Sequence, residues 1–370
     1  MNNTNKIYSL AVMGVQQLIP YKAGKPIDEL ERELGLTRII KLASNENPLG
    51  PGKKALLAIQ AALPALALYP DGSGFMLKQA LAEKYAVDMS QITLGNGSNE
   101  ILELVARAFL TPEHEVIFSQ HAFAVYPLVT QAVGATAVVV PALNYGHDLD
   151  AMLQAVTEKT RLVFIANPNN PTGTLLSQAS LEYFIGALPD TCVCVLDEAY
   201  FEFVSSVESI NSIDWLKKHP NLLITRTFSK AYGLAGLRIG YGLSSPQLAD
   251  ILNRVRQPFN NNTLALVAAE AALTDDEHLQ QTITVNALGM QQLTDGFKKL
   301  GLEWIPSAGN FVLVSLKQAG QPVYDSLLRK GVIVRPVGNY ELPDHLRISI
   351  GTEAENKIFL QALTDTLANV

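Results

Sequence analysis

From residue 75 onward the chain alternates two kinds of pattern. "FMLKQALAEKYA" (75–86) spaces its apolar residues three and four apart, the period of an amphipathic helix. "ITLGN" (92–96) is short and strand-like. "SNEILELVARAFL" (98–110) returns to helical spacing, with Ser98 or Asn99 placed to cap its N-terminus. The runs "EVIFSQ" (115–120), "ATAVVV" (135–140), "RLVFIAN" (161–167), "CVCVLDEA" (192–199) and "LLITRTF" (222–228) follow. Most are continuous rather than alternating. That suits strands buried on both faces of a mainly parallel sheet covered by helices, an α/β architecture. "GYGL" (240–243) is read as one more strand, antiparallel where the chain turns back.

After about 245 the pattern changes. Helical stretches are predicted over 246–256, 263–274 and 276–300, then strands in "FVLVSL" (311–316), "GVIVRPV" (331–337) and "HLRISIG" (345–351), with helices near 321–330 and 353–368. This predicts a smaller α+β domain joined to the first by the long helix. The expected division is 1–45 as an arm and part of the small domain, 46–270 as the large domain and 271–370 as the small C-terminal domain. No internal repeat or long linker interrupts it.

Composition narrows the classes. The 370 residues are 48% hydrophobic and 17% charged, enough apolar material for a large core. A formal net charge of -7 argues against a general nucleic-acid binder. No apolar run approaches the roughly 18 residues of a membrane-crossing helix. "IYSLAVMGV" (7–15) loosely resembles a leader but lacks a small-x-small cleavage site, so an amphipathic arm lying on the body or on a partner subunit is expected. Cys192 and Cys194, two apart on a predicted strand, point to one face. Without a histidine cluster they read as buried structural thiols in a reducing compartment, not a metal site.

Four motifs carry candidate chemistry. "LGNGSNE" (94–100) opens a helix after a strand. An anion site at the helix N-terminus and an ordinary Asn-Gly turn both fit it. It lacks the Gly-Lys-Ser/Thr ending of a P-loop and the third glycine of a dinucleotide fingerprint. "ANPNNPTG" (166–173) is a plain loop or a device that fixes Asn170 at the rim where α/β sheets bind ligands. In "VLDEAYFEF" (195–203), Asp197 ends a buried strand, where a carboxylate is costly unless it meets a cation or donors. Tyr200 follows three residues later; a helix cap with an aromatic core residue is the bland alternative. In "TFSKAYGLAGLRIGY" (227–241), Lys230 sits among small and apolar residues, where poor solvation and a nearby cation lower its pKa. Ser229 and Arg238 can hold an anion beside it. Pyridoxal phosphate needs all of these. It takes a Schiff-base lysine, a carboxylate for the pyridine nitrogen, donors for the ring hydroxyl and a phosphate cradle.

"NPNNPTG", "LDEAYFEF" and "TFSKAYGLAGLRIGY" resemble, in order and spacing, the motifs of fold-type I pyridoxal-phosphate aminotransferases. "PYKAGKPIDELERELG", "KLASNENPLGP", "LYPDGSG" and "LRISIGT" narrow the resemblance to the histidinol-phosphate aminotransferase branch, over about 20–368. The resemblance implies a large cofactor-binding domain with a mainly parallel seven-stranded sheet between helices, plus a smaller α+β domain. It implies that Lys230 carries the cofactor and shuttles the proton, that Asp197 pairs with the pyridine nitrogen, and that Tyr200 and Asn170 donate to the phenolic oxygen. Ser98, Asn99, Thr227, Ser229 and Arg238 would bind the cofactor phosphate, and Tyr69 would reach it from the other subunit of a homodimer. Phe123 is the expected stacking residue, with Tyr126 as the alternative. A cytoplasmic enzyme without metal, nucleic-acid or membrane partners is expected.

Arg335 and Arg347 lie twelve residues apart, each within a strand pattern. Such arginines pair with acidic neighbours or present a planar fork to carboxylate or phosphate. In the resemblance, Arg347 takes the carboxylate of amino- and oxo-acids, Arg335 and Tyr21 take the substrate phosphate, and Asn45 lies where the N-terminal segment passes the site. The implied reaction exchanges an amino group between L-histidinol phosphate and 2-oxoglutarate, giving imidazole-acetol phosphate and L-glutamate. An aromatic amino-acid aminotransferase and a threonine-phosphate decarboxylase are the alternatives on the same fold. A non-catalytic module is disfavoured because Lys230 and Asp197 are both present. A nicotinamide dehydrogenase lacks its fingerprint. Among histidines, His121 lies nearest the expected site but has no carboxylate partner identifiable in sequence.

Overall fold

A computed structural model describes residues 3–21, 24–205, 208 and 210–368. In chain order its strands are β1 (Ile40–Lys41), β2 (Ile92–Gly95), β3 (Glu115–Ser119), β4 (Thr136–Val140), β5 (Thr160–Ala166), β6 (Val193–Asp197), β7 (Leu222–Thr227), β8 (Gly240–Ser244), β9 (Glu303–Ile305), β10 (Phe311–Ser315), β11 (Val332–Ile333), β12 (Arg335–Val337) and β13 (Leu342–Ser349). Seven of them form one sheet in the order β2-β8-β7-β6-β5-β3-β4. Only β8 runs antiparallel to its neighbours, where the chain turns back as expected. The sheet is the mainly parallel one that fold-type I requires.

Its interior strands are buried from end to end: every residue of β6 and of β7 is enclosed. Alternate side chains feed two cores. Cys192, Cys194 and Leu196 join Leu77, Leu181, Phe184 and Leu266 from helices on one face. Val193 and Val195 join Ile101, Tyr126 and Leu252 on the other. Both thiols therefore share a face, and both are free.

Two readings of pattern are corrected. β4 was expected to be buried on both faces, yet only its last residue, Val140, is buried, and Val139 is 50% exposed. β4 is the sheet edge, with β3 alone beside it. A continuous apolar run does not distinguish an edge strand from a central one. The helix Ser98–Phe109 is capped by Gly97, not by Ser98 or Asn99, and no side chain satisfies its first turn. Gly97 has φ 78 and ψ 162, a region that costs glycine little. The Glu100 N–H donates back to the Gly97 carbonyl at 3.2 Å, and the Ser98 and Asn99 N–H groups are left for another acceptor.

The C-terminal part forms an antiparallel sheet in the order β12-β13-β10-β9. The helices Asp276–Lys299, Gly320–Arg329 and Glu353–Leu367 supply its apolar cover through Leu293, Phe297, Val323, Leu327 and Phe359. "GVIVRPV" is two strands rather than one. β11 pairs in parallel with β1, while β12 pairs with β13 and shifts register at Pro336/Val337. Proline has no N–H to continue a ladder. At the other end of the chain, the short helix Met13–Gln16 packs against the helix Val125–Ala132, so closely that a Cβ on Gly14 would overlap the Gln131 carbonyl. Among the described residues, no helix is long and apolar enough to cross a membrane.

The C-terminal ends of β6 and β7 are tied together twice. On one side Asp197 stands opposite Thr225. On the other, Arg226, 1% exposed, donates through Nε and Nη2 to Glu198 Oε2 at 2.9 and 2.7 Å. Its guanidinium lies 3.7 Å from the Phe201 ring centroid. Removing one partner of a buried pair strands the other charge. Glu198→Ala is expected to destabilise the fold by about 3–5 kcal/mol, read as a lower urea midpoint, and a double change with Arg226→Met should recover most of the loss.

Candidate active site

A cavity opens where β5, β6 and β7 end, between the large sheet and β12–β13. Every candidate site residue named from the sequence lines it except Tyr69 and the alternative stacking residue Tyr126, which lies behind Phe123. Each is delivered by a strand end, a helix start or the loop that follows. Asp197 is the last residue of β6, and Thr227 the last of β7. Ser229 and Lys230 follow in the turn, and Ser98 and Asn99 open the uncapped helix.

Lys230 is half-buried and its Nζ donates to the Ser44 carbonyl at 3.0 Å. Loss of solvent pushes its pKa down to about 7, and the Arg347 charge pushes the same way, against a smaller pull from Glu46. Asp197 shows the opposite response. Burial pushes its carboxyl up to about 6, while the Tyr126 and Thr225 hydroxyls hold it down. Those hydroxyls donate to Oδ2 at 2.9 Å and Oδ1 at 3.0 Å. Near neutral pH the cavity therefore holds an amine that can lose its proton and a carboxylate that can keep its charge.

The anion cradle is built by close approach. A Cβ on Gly97 would overlap Arg238 Nη2, and Arg238 Nη1 lies 3.0 Å from Ala235 O and 3.4 Å from Ser229 Oγ. The Ser229 N–H donates to Thr227 Oγ1 at 3.1 Å. Guanidinium, hydroxyls and uncapped helix N–H groups together suit a phosphate. The half-buried Phe123 lines the same cavity, edge-on to Tyr126.

On the opposite wall, Arg335 and Arg347 are direct cross-strand partners in β12 and β13. Like charges placed opposite each other are unfavourable without an anion between them. Arg347 donates to Asn170 Oδ1 and to Ala43 O, both at 2.6 Å, and its buried Nε has no hydrogen-bond partner among the described residues. The Arg335 guanidinium lies 5.4 Å from the Tyr21 ring centroid. Asn45, with φ 55, donates from Nδ2 to the Tyr200 hydroxyl at 2.9 Å and accepts from Ser349 Oγ through Oδ1. Burial pushes the Tyr200 phenol up to about 12, so it remains a donor.

The "NPNNPTG" loop is held rigidly. Asn167 Oδ1 accepts from the Leu176 N–H, and Asn169 Nδ2 donates to His121 O and Thr172 Oγ1. Gly173, at φ 83, passes so near Ser307 that a side chain there would collide with it. Sequence reading did not single out Ser44, Thr225 or Tyr340, and it placed Tyr126 only as an alternative stacking ring. Ser44 lies within the quoted "KLASNENPLGP", and Tyr126 is one helical turn beyond Phe123. His121 has Tyr340 O as its Nδ1 partner at 2.7 Å and, among the described residues, no carboxylate partner. Tyr69 is 82% exposed, stacked on Phe259 at 4.8 Å, and outside this cavity.

The family model for aminotransferase class I and II matches residues 37–363. The chain is 60% identical over 362 residues to a protein named histidinol-phosphate aminotransferase 2 from Pseudomonas fluorescens (strain Pf0-1), covering 97% of this chain and 98% of that one. It is 57% identical over 350 residues to histidinol-phosphate aminotransferase 1 from Idiomarina loihiensis, covering 95% of each. The crystal structure of histidinol-phosphate aminotransferase from Sinorhizobium meliloti in complex with pyridoxal-5'-phosphate superposes with a TM-score of 0.91 at 32% identity, over 96% of this chain and 97% of that one. This chain belongs to the class I and II aminotransferase family and, within it, to the histidinol-phosphate aminotransferases.

Proposed function

We propose that the chain interconverts L-histidinol phosphate plus 2-oxoglutarate with imidazole-acetol phosphate plus L-glutamate, using pyridoxal 5'-phosphate, in histidine biosynthesis. The carrying observation is the Arg335/Arg347 cross-strand pair beside Tyr21, facing the amine of Lys230 across one cavity. Both amino donors end in an anion, phosphate in one and carboxylate in the other. One pair of guanidinium groups can serve both. The aromatic and decarboxylase alternatives are not favoured at this level of identity.

The residues present fit the cofactor. Its phosphate matches the cradle of Ser98, Asn99, Thr227, Ser229 and Arg238, where Gly97 leaves room for the guanidinium. Pyridoxal 5'-phosphate supplies an aldehyde carbon that accepts the amino group and a ring that withdraws the electron pair left on the substrate carbon. We assign Lys230 Nζ as the group that holds the cofactor and then carries a proton to and from the substrate carbon. A pKa of about 7 makes it both base and acid at neutral pH. We assign Asp197 to the ring nitrogen, where its charge keeps that nitrogen protonated. Asn170 and Tyr200, steadied by Arg347 and Asn45 respectively, are assigned as donors to the ring oxygen, and Phe123 as the stacking face. Tyr21 and Arg335 are assigned to the substrate phosphate, and Arg347 to the carboxylate.

A homodimer is inferred in which Tyr69 reaches the partner's cofactor phosphate. Exposed Leu56, Leu57, Leu66, Leu68 and Phe75, close to Tyr69 along the chain, support it, since concentrated exposed apolar side chains mark subunit contacts. We also propose the division into large (46–270) and small (271–370) domains, supported by two sheets with separate cores, and infer a cytoplasmic location from the biosynthetic role.

Adding L-histidinol phosphate to the holoenzyme should bleach the visible band of the lysine-bound cofactor at far lower concentration than L-phenylalanine does. An equal response to phenylalanine would assign the protein to the aromatic aminotransferases. Lys230→Ala should lower kcat at least ~10³-fold, and near-normal turnover would remove Lys230 from the mechanism. The rate at which apoenzyme captures cofactor should rise with pH around a midpoint near 7, because the neutral amine attacks. A midpoint near 10 would mean that Lys230 sits in ordinary solvent. Mixing inactive Lys230→Ala subunits with impaired Tyr69→Ala subunits should restore activity if Tyr69 serves the partner's site; no recovery would place it within its own subunit.

A further inference from the structure

Asp197 is 5% exposed, and both of its oxygens take a hydroxyl donor. Thr225 is there because β6 and β7 pair in register. Strand pairing does not explain Tyr126. It comes from the helix Val125–Ala132, 71 residues earlier in the chain, and carries its hydroxyl across to Oδ2. Its ring is fully buried, parallel to Phe164 with centroids 4.5 Å apart and edge-on to Phe123 at 5.8 Å. A buried phenol needs an acceptor, and this one is aimed at the single carboxylate that lines the cavity among the described residues.

We propose that Tyr126 is a positioning residue for the known reaction: its hydroxyl fixes the Asp197 carboxylate and keeps it ionised where it meets the cofactor's ring nitrogen. This rests on the assignment of Asp197 made above. Three observations support it. The hydroxyl cannot readily lose its proton, because burial and the Asp197 charge both push its pKa well up, so it remains a donor. Burial already pushes the carboxyl up to about 6, and each lost donor pushes it further. The other titratable groups around Asp197 do not replace the donor. Glu198 raises its pKa and is itself bound to Arg226, Tyr200 faces Asn45, and Lys230 donates to Ser44 O. Tyr126 also joins the stacking face to the charge anchor, since its ring supports Phe123 while its hydroxyl holds Asp197.

The test is the cofactor dissociation constant of apoenzyme at pH 6 and pH 8.5 in wild type, Tyr126→Phe and Asp197→Asn. Phenylalanine keeps the stack on Phe164 and removes only the hydroxyl. Losing a hydrogen bond to a charged acceptor raises the carboxyl pKa by about one to two units. Tyr126→Phe should therefore weaken binding about tenfold at pH 6 and less than about twofold at pH 8.5. A ring-fluorinated tyrosine at position 126, a stronger donor of unchanged fold, should tighten binding at pH 6. No loss in Tyr126→Phe, or an equal loss at both pH values, overturns the proposal, as does an unchanged affinity in the fluorinated protein. Asp197→Asn separates this from the site assignment. If it binds cofactor as wild type does, the role of Asp197 is wrong. If it is impaired while Tyr126→Phe is not, only the inference about Tyr126 fails.

Discussion

The register between β6 and β7 governs the rest of the site. Because strand side chains alternate, one pairing sends Asp197 and Thr225 toward the cavity and leaves Glu198 and Arg226 behind it. The front pair places a carboxylate in the cavity, and the back pair locks the same strand ends with a charge-assisted bond in a dry interior. A slip of one residue would invert the faces of one strand against the other. If β6 slipped against β7, Glu198 would turn into the site, Asp197 would turn to the core face, and the Glu198–Arg226 pair would be broken. Thr227, Ser229 and Lys230 follow directly from the end of β7, so the position of the amine depends on the same register.

The cavity wall is assembled with an excess of positive charge. Lys230, Arg238, Arg335 and Arg347 line it, against the carboxylate of Asp197. Two of the arginines are cross-strand neighbours, and burial together with Arg347 pushes Lys230 down to about 7. The mutual repulsion and lost solvation of these cations oppose folding, in part offset by their hydrogen bonds to Ser44 O, Ala235 O, Asn170 and Ala43 O. Anionic cofactor and substrate return that free energy on binding, and ligand that binds only the folded state raises its stability. The cost is concentrated at strand ends and helix starts, while the two faces of the large sheet pack ordinary apolar side chains.

The site also fastens the two halves of the molecule. Asn45 contacts Tyr200, three residues beyond the end of β6, and Ser349 of β13, Arg347 contacts Asn170 and the Ala43 carbonyl, and Gly173 lies against Ser307. The residues that would meet substrate are thus the ones that fix how the two sheets stand to each other. A substitution among them acts on affinity and on this alignment together.

Much was legible in the chain because the information was local. Apolar periodicity located β3, β5, β6, β7 and the helices that follow them, and short motifs put Lys230, Asp197, Asn170 and Arg238 at strand ends. Conformation within such segments is set by neighbouring residues and by burial of continuous apolar runs. What the sequence left open depended on partners far along the chain. The exposure of β4 follows from its place at the sheet edge, and the split of "GVIVRPV" from two different neighbouring strands. Gly97 rather than Ser98 stands at the N-cap, with the distant Arg238 occupying the space a Cβ there would need. Tyr126 read as a spare stacking ring, since nothing in "HAFAVYP" announces an aspartate 71 residues away. Twelve residues between Arg335 and Arg347 gave their distance along the chain, and only the pairing of β12 with β13 set them side by side. Residue types and their local periods therefore determined the elements and the chemistry available. Long-range hydrogen-bond register and packing decided which side chains meet, because those contacts join segments that share no local signal.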